Sequence, residues 1–320
     1  MILFVFLLVA ALVQGSFEAE HRQWREKRNE ELRAEDGWLT VAGLFWLKEG
    51  SNSFGTGKGM NIVLPAGSAP ENIGTLDLSQ GVVTLRVADG VKVSVGAETV
   101  RTYEMRFEGD KQPPSFLVGS LKLAVIKRGE RYGLRVRDKN SLALRKFKGL
   151  EWFPARESYR VTATFTPYDQ PKEITIMNVL GDELKMKSPG LLTFTLDGKT
   201  YQLRPVMEEG DDQFFIIFRD QTAGKTTYGA GRYLYADLPV EVNGDERKVN
   251  GDERKVNGDE RKVNGDERKV GKVILDFNRA ENPPCAFTPY ATCPLPPRQN
   301  FLPIPIYAGE RAFHLKSKKG

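Results

Sequence analysis

Four polar residues in the C-terminal third of the sequence offer the most coherent binding chemistry: Tyr228, Arg232, Asp276 and Asn278. Asp276 and Asn278 stand two apart, so both point to one side if their segment is a strand, and Tyr228 and Arg232 share a face on the same condition. A guanidinium beside a carboxylate suits the binding of a polar or anionic small molecule. In the alternative interpretation these side chains only satisfy one another: Asp276 pairs with Arg232, and Asn278 caps or ties the loop that follows.

Acidic residues in the same region permit a hydrolase instead of a binding module. Asp276 or Asp220 could act with Arg232, and pairs such as Glu151 with Glu157 match the carboxylate chemistry of glycosidases. The chain has 42 acidic residues, so such pairs carry little information. The sequence therefore leaves it open whether the protein is an enzyme and which residues would be catalytic.

Motifs for other kinds of catalysis are missing from the sequence, which has no G-x-S-x-G elbow, no P-loop and no H-E-x-x-H. The two histidines, His21 and His314, lie in a charged helical segment and in a basic tail. Neither is placed for a Ser-His-Asp or Cys-His mechanism, so we expect both at the surface. The sequence predicts no metal site and no cofactor.

Cys285 and Cys293 are the only cysteines, and they lie eight apart in a proline-rich loop. In an exported protein an even number of cysteines favours a disulfide. Two buried free thiols are the alternative, while the spacing is not the C-x-x-C of redox proteins and no histidine lies nearby to complete a metal site.

Strands must position these groups, because apolar and polar residues alternate with a period of two from residue 37 onward. Clear examples in the first half are residues 83–87, 91–95, 121–125 and 131–137. In the second half we predict strands near residues 191–196, 214–219, 226–235, 272–277 and 303–307. Such frequent short strands predict a mainly β protein with two antiparallel β units, at residues 37–147 and 148–320.

One helix is predicted ahead of the strands, at residues 16–36. Its Arg, Lys and Glu side chains stand three and four apart, which stabilises an exposed helix. Phe17, Trp24 and Leu32 form a narrow apolar stripe that would dock it on a larger body. We therefore expect a solvated surface helix; a basic helix beside a membrane is the alternative.

Residues 1–15 are predicted to be a signal peptide. Residues 2–13 are all apolar, too few to span a membrane, which takes about 20 residues. They match the hydrophobic region of a signal peptide, although no Lys or Arg precedes them. We expect an exported protein, periplasmic or secreted, with no transmembrane span in the mature chain. An uncleaved membrane anchor or a wrongly assigned start is the alternative.

The composition is that of a globular protein, with 40% hydrophobic residues. The chain has 47 basic and 42 acidic residues, and the net charge of +5 is scattered. That balance gives no support to nucleic-acid binding. The partner we expect is an unknown small molecule, or none.

Residues 243–270 are four identical copies of NGDERKV. A coiled coil needs two apolar positions in each heptad, and an EF-hand needs a different order of acidic residues, so neither fits. Asn-Gly favours a type I′ hairpin turn. Our hypothesis is that three copies are tandem expansions of one hairpin loop, between a strand ending near residue 235 and a strand beginning at residue 272.

Several segments carry a family resemblance: GWLTVAGLFWLKEG at residues 37–50, RYGLRVRD at 131–138, TYGAGRYLY at 227–235, LDFN at 275–278 and NPPCAFTPYATCPLPP at 282–297. Together they resemble the bacterial and archaeal family called domain of unknown function 1684. The resemblance covers roughly residues 22–311, except for the repeat, where the family pattern has a short loop. It implies membership of a family without an established activity, and no mechanism.

The segment at residues 54–65 is also similar to the opening of a forkhead-associated β-sandwich. That fold binds phosphothreonine through an Arg after the Gly and a Ser-x-x-His. Here Thr56 follows Gly55, and residues 69–72 contain neither Ser nor His, so only the fold of the first unit carries over.

These observations predict an exported all-β protein that acts as a ligand-binding or scaffold module. The expected site is formed by the four polar residues of the C-terminal third. A hydrolase with a carboxylate and arginine site in that half of the chain is the alternative.

Overall fold

The computed structural model describes residues 2–106, 113–208, 210–241 and 270–313 of the 320-residue chain. It confirms a mainly β protein with several antiparallel sheets and one N-terminal helix. The helices are α1 (Ile2–Arg33) and α2 (Leu142–Lys146). The strands are β1 (Val41–Trp46), β2 (Gly50–Gly55), β3 (Ile62–Val63), β4 (Gly74–Ser79), β5 (Val82–Val87), β6 (Val93–Val95), β7 (Glu98–Val100), β8 (Thr102–Met105), β9 (Ser115–Val118), β10 (Leu121–Arg128), β11 (Arg131–Asp138), β12 (Arg160–Met177), β13 (Glu183–Leu196), β14 (Lys199–Leu203), β15 (Gln213–Phe218), β16 (Arg232–Asp237), β17 (Val240–Glu241) and β18 (Gly271–Asp276).

The described residues form two compact units. The sandwich unit consists of Arg22–Leu150, Pro284–Thr292 and residue 313. The C-terminal unit consists of residues 2–21, Glu151–Pro283 and Cys293–Ala312. The chain passes from the sandwich unit to the C-terminal unit at residues 150/151, and each unit also takes in a segment that is distant in sequence.

The sandwich unit has two sheets, with strand orders β1-β11-β10-β9-β6-β7 and β3-β2-β4-β5-β8. Alternate residues of both sheets build one core; Leu123 and Val125 from the first meet Leu76 and Leu85 from the second, and all four are fully buried. The period of two therefore marks the inward face of each strand. The likeness to a forkhead-associated sandwich stays a prediction.

The C-terminal unit has a five-stranded sheet, β14-β13-β12-β18-β17, and a separate hairpin of β15 and β16. Its core contains Phe165, Phe194 and Leu275 from the sheet and Phe214 and Leu234 from the hairpin. The sheet and the hairpin thus share one apolar interior.

The helix α1 begins at Ile2, within the segment predicted as a signal peptide. In the C-terminal unit it buries Phe17, and in the sandwich unit it buries Leu32 against Leu39, Phe147 and Phe287. None of the helices in the described ranges has the length and hydrophobicity needed to span a membrane.

Two predicted strands differ in the structure. Residues 303–307 form no strand, because Pro303 and Pro305 cannot donate a backbone hydrogen bond to a ladder. The strand predicted at 226–235 begins only at Arg232. Gly231 stands before it with φ of +100°, a conformation that interrupts an extended segment.

The repeat at residues 243–270 lies outside the described residues, apart from Val270. The backbone on either side of it is paired, since Val240 lies opposite Lys272 and Glu241 opposite Gly271 in an antiparallel ladder. The strand that leads into the repeat is therefore β17, whereas β16, which ends nearer to residue 235, pairs with β15.

Candidate functional site

Arg232, at the start of β16, is completely enclosed, with 1% of its surface exposed. Its guanidinium donates to the carbonyl oxygen of Ala308 through Nη1 and to that of Ile306 through Nη2, the latter at 3.0 Å. Nη2 also lies 3.4 Å from Oδ2 of Asp220. Burial lowers the pKa of Arg232, and the charges of Asp220 and Glu310 oppose that effect.

Gly231 explains how the chain brings Arg232 into this position. A Cβ atom at residue 231 would lie 2.5 Å from the carbonyl oxygen of Phe218, the residue paired with Arg232 in the hairpin. Only glycine allows the two strands to approach so closely at this φ.

Asp220 is the counter-ion of Arg232 and is 6% exposed. Its Oδ2 accepts a hydrogen bond from the backbone N–H of Ile306 at 2.6 Å, and the hydroxyl of Thr222 donates to the carboxylate at 2.8 Å. Together Arg232 and Asp220 hold the backbone around residues 306–308, which pairs with no strand in the described part of the chain.

Asp276 lies in a second cluster, at the end of β18. Its Oδ2 is 2.9 Å from Nε2 of His21 and accepts from Nε of Arg160 at 2.8 Å. Its Oδ1 accepts two bonds from Asn278, from the backbone N–H at 3.1 Å and from Nδ2 at 2.9 Å. Burial alone would raise the pKa of Asp276, but the hydrogen bonds from His21 and Asn278 and the charge of Arg160 lower it to about 2.

His21 is not at the surface, so that prediction was wrong: its side chain is 1% exposed. Its Nδ1 lies 2.8 Å from the carbonyl oxygen of Phe17, one helical turn earlier, and its Nε2 faces Asp276. A carbonyl oxygen can only accept, so Nδ1 carries a proton. Phe17 and His21 stand four apart on one helix face, and this was the sequence signal for burial. His314 lies outside the described residues.

Glu20 forms the outer part of the Asp276 cluster. It accepts from Nη2 of Arg160 at 2.7 Å and also pairs with Arg279. Burial works to raise the pKa of Glu20, but the hydrogen bond and the charge of Arg160 lower it. The cluster thus joins α1, β12 and the turn after β18 by charged hydrogen bonds.

The four predicted site residues divide between these clusters. Asn278 bonds both backbone groups of Arg156, its Oδ1 accepting at 3.0 Å and its Nδ2 donating at 2.9 Å, so it ties the segment before β12. Tyr228 is in a loop before β16, and burial raises its pKa. The hydrogen bonds of Arg232 and those of Asp276 belong to separate sets of partners, and the structure gives no hydrogen bond between Arg232 and Asp276 in its described part.

Cys285 and Cys293 lie at disulfide-bonding distance, and neither is a free thiol. The loop between them contains Phe287, Thr288 and Tyr290. The hydroxyl of Thr288 donates to the carbonyl oxygen of Val41 at 3.2 Å, which fixes this loop beside β1 in the sandwich unit.

A pocket of about 540 Å³ opens next to this loop, within the sandwich unit. We call it the Asp138 pocket. Its apolar wall includes Leu142, Phe287 and Pro289, and its polar wall includes Asp138 and Arg145. Oδ1 of Asp138 accepts from Ser120 at 3.0 Å and from the backbone N–H of Asn140 at 2.9 Å. Among the described residues, Oδ2 of Asp138 receives no hydrogen bond.

Sequence reasoning missed this pocket. Asp138 is the last residue of a strand with an ordinary alternation of apolar and polar residues. No residue close to Asp138 in the sequence indicates that residues 287–290 lie beside it. The one available signal was the unusual composition of the proline-rich loop. Within the described ranges no group of three or more His, Cys, Asp or Glu could hold a metal ion.

Comparison with known proteins places the chain in a family without a known activity. A family model described as "Protein of unknown function (DUF1684)" matches residues 145–311. An uncharacterized protein from Haloarcula marismortui with a solution structure has 29% sequence identity to this chain. The match covers 52% of this chain and 78% of that one, with a TM-score of 0.38. Among curated proteins no match is found.

Proposed function

The chain belongs to the DUF1684 family, which is described only as a protein of unknown function. From the geometry of the structure we propose that the protein is a ligand-binding module. One observation carries the proposal: the Asp138 pocket combines a cavity of about 540 Å³ with a carboxylate oxygen that no described residue bonds. Pockets for small molecules are typically mostly apolar, with a few polar groups that orient the ligand.

The walls of the Asp138 pocket define the chemistry of the ligand. Asp138 selects a hydrogen-bond donor, an ammonium or a hydroxyl, and Arg145 selects an acceptor such as a carboxylate. The apolar wall at Leu142 and Phe287 fits a small hydrocarbon part. We therefore propose a small polar organic molecule that carries both a donor and an acceptor.

A matched pair of tryptophan variants tests the site. Ala66 is exposed and lines the pocket, whereas Ala97 is also exposed but lies outside the lining. We expect a library of amino acids, amino alcohols and sugars to give hits in ligand-observed NMR with the full chain. Ala66→Trp should remove those hits and Ala97→Trp should keep them.

Asp138→Asn refines the assignment, because asparagine keeps Oδ1 for Ser120 and for the N–H of Asn140 and changes only the group at Oδ2. It should weaken binding about tenfold, the value of one charged hydrogen bond, without loss of melting temperature. Hits that persist unchanged in Ala66→Trp would show that the ligand binds elsewhere.

The predicted site at Tyr228, Arg232, Asp276 and Asn278 stays a weaker proposal. The oxygens of Asp276 and Asp220 already accept protein donors, and Arg232 already donates to two carbonyl groups. The hydrolase alternative needs one of these carboxylates, so it requires Asp276→Asn to abolish a measurable turnover while the protein stays folded. A binding module keeps its affinity in that variant.

We further propose that the protein is exported after removal of residues 1–15. The uncharged apolar run at residues 2–13 supports this, and so does the disulfide-distance pair Cys285 and Cys293, because disulfides persist outside the cytosol.

A further inference from the structure

Cationic side chains concentrate on the outer face of one sheet of the sandwich unit. In β11 the residues Leu134 and Val136 point into the core, so Arg131, Arg135 and Arg137 point to the other side. In the adjacent β10, Ala124 lies opposite Arg135, which places the even-numbered residues of β10, including Arg128, on that same face.

Arg135 is the buried member of this group, with 8% of its surface exposed. Its Nε and Nη2 atoms are buried, and no hydrogen-bond partner lies near either of them in the described part of the chain. The side chains paired across from it are Ala124 on β10 and Leu44 on β1, and neither can accept a hydrogen bond. Native proteins rarely leave such donors without an acceptor.

The charges around Arg135 do not neutralise it. Among the described residues, the charged groups that act on it electrostatically are Arg128 and Arg137, and both are cations. Burial, and then repulsion by these two arginines, lower the pKa of Arg135 to about 10, so it remains charged at neutral pH. The ring of Trp38 lies 5.3 Å from the guanidinium, which stabilises the cation but accepts no in-plane N–H.

Arg137 adds a second guanidinium on the same aromatic ring, 5.6 Å from the centre of Trp38. Its Nη1 donates to the carbonyl oxygen of Gly37 at 2.8 Å, which fixes the side chain. Arg128 is likewise held, through Nε to the hydroxyl of Thr292 at 3.3 Å and through Nη1 to the carbonyl oxygen of Lys127. Two restrained guanidinium groups therefore accompany the unsatisfied one.

We propose that Arg135, with Arg128 and Arg137, forms an anion-binding site for a phosphate group. A planar guanidinium with two unused N–H groups on one side matches two oxygens of a phosphate, and several cations around one anion favour a doubly charged group over a carboxylate. This site is distinct from the Asp138 pocket, because Asp138 follows Arg137 on β11 and points to the opposite face.

Inorganic phosphate is the probe for this site. We expect isothermal titration calorimetry on the full chain to detect phosphate binding in chloride buffer of constant ionic strength, and the melting temperature to rise with phosphate concentration. Acetate at the same ionic strength should bind at least about tenfold more weakly, because it carries a single charge.

Arg135→Met removes the unsatisfied guanidinium and should weaken phosphate binding by at least about tenfold. Without phosphate it should melt no lower than the wild type, since it removes a buried charge that has no partner. Arg86→Met is the matched control: Arg86 is an exposed arginine of the same unit that pairs with Asp77, and its loss should leave phosphate affinity unchanged.

If Arg135→Met does not fold, Arg135→Lys is the variant that tests the proposal. Lysine keeps the positive charge but cannot present two parallel N–H groups, so the affinity for phosphate should again fall about tenfold. Absence of phosphate binding by the wild type would overturn the proposal. Undiminished affinity in the variants at Arg135, or equal affinity for acetate, would overturn it as well.

Discussion

Replacing Asp276 by asparagine isolates the charge at the centre of the cluster that joins α1 to β12. Asparagine keeps an oxygen for the N–H of Asn278 but puts an NH₂ group where Oδ2 meets His21 and Arg160. Because Nε of Arg160 can only donate, the substitution sets a donor against a donor at that position. We therefore expect Asp276→Asn to lower the free energy of unfolding at neutral pH.

The magnitude follows from the pKa of Asp276, which is about 2 in the folded protein against the ordinary aspartate value of 3.8. A difference of this size corresponds to about 2 kcal/mol of stability. For a carboxylate with a depressed pKa this stability is fully present above about pH 4 and is lost as the pH falls towards 2. About half of it, roughly 1 kcal/mol, should be gone at about pH 3.

The assay is urea unfolding of wild type and variant at several pH values. Trp152 is the single tryptophan of the C-terminal unit, so fluorine NMR of fluorotryptophan-labelled protein would follow that unit separately. The stability difference between wild type and Asp276→Asn should be at least about 2 kcal/mol at pH 7 and should shrink as the pH falls from about 4 to 2.

A control aspartate separates this effect from general acid destabilisation. Asp212 is an exposed residue of the same unit, and Asp212→Asn should change stability by less than about 0.5 kcal/mol. A difference between wild type and Asp276→Asn that stays constant from pH 5 to 2 would refute the reasoning, because it would show that the negative charge of Asp276 is not what stabilises the cluster.

Two further predictions concern segments outside the described sites. Deleting residues 243–263 leaves one copy of NGDERKV, and since Val240 and Lys272 are already paired, shortening the connection fourfold should stabilise the protein by up to about 1 kcal/mol. A drop in melting temperature of more than about 5 °C would contradict the hairpin hypothesis. Export predicts that protein purified from outside the cytoplasm begins at residue 16 by N-terminal sequencing; an intact Met1 there would contradict cleavage.

The strands could be predicted because a sandwich imposes a local signal. Leu121, Leu123 and Val125 alternate in the sequence and are all fully buried in β10. The prediction failed at residues 303–307, where the apolar alternation is real but two prolines remove backbone donors. There Ile306 is buried, and its backbone N–H bonds to the carboxylate of Asp220 instead of to a strand.

The side-chain clusters could not be predicted, because their members are distant in sequence. His21 and Asp276 are 255 residues apart, and only the docking of α1 brings them together. Local spacing suggested that Asp276 and Asn278 point to one side of a strand, but the strand ends at Asp276, which caps the turn at Phe277–Arg279 by accepting from the backbone N–H of Asn278. Local spacing also suggested Arg232 as their companion, but its hydrogen bonds go to the segment at residues 306–308.

Two buried arginines, Arg232 and Arg135, differ in how far the fold supplies acceptors for the guanidinium. At Arg232 both terminal nitrogens reach carbonyl oxygens and Asp220 balances the charge, so among the described residues Nε alone finds no hydrogen-bond partner. At Arg135, which is buried almost as completely, neither Nε nor Nη2 finds a partner within the described ranges, and the charges that act on it there are cations. An arginine that served only to hold the fold together would be expected to resemble Arg232. The difference argues that the acceptors for Arg135 come from an anion rather than from the chain.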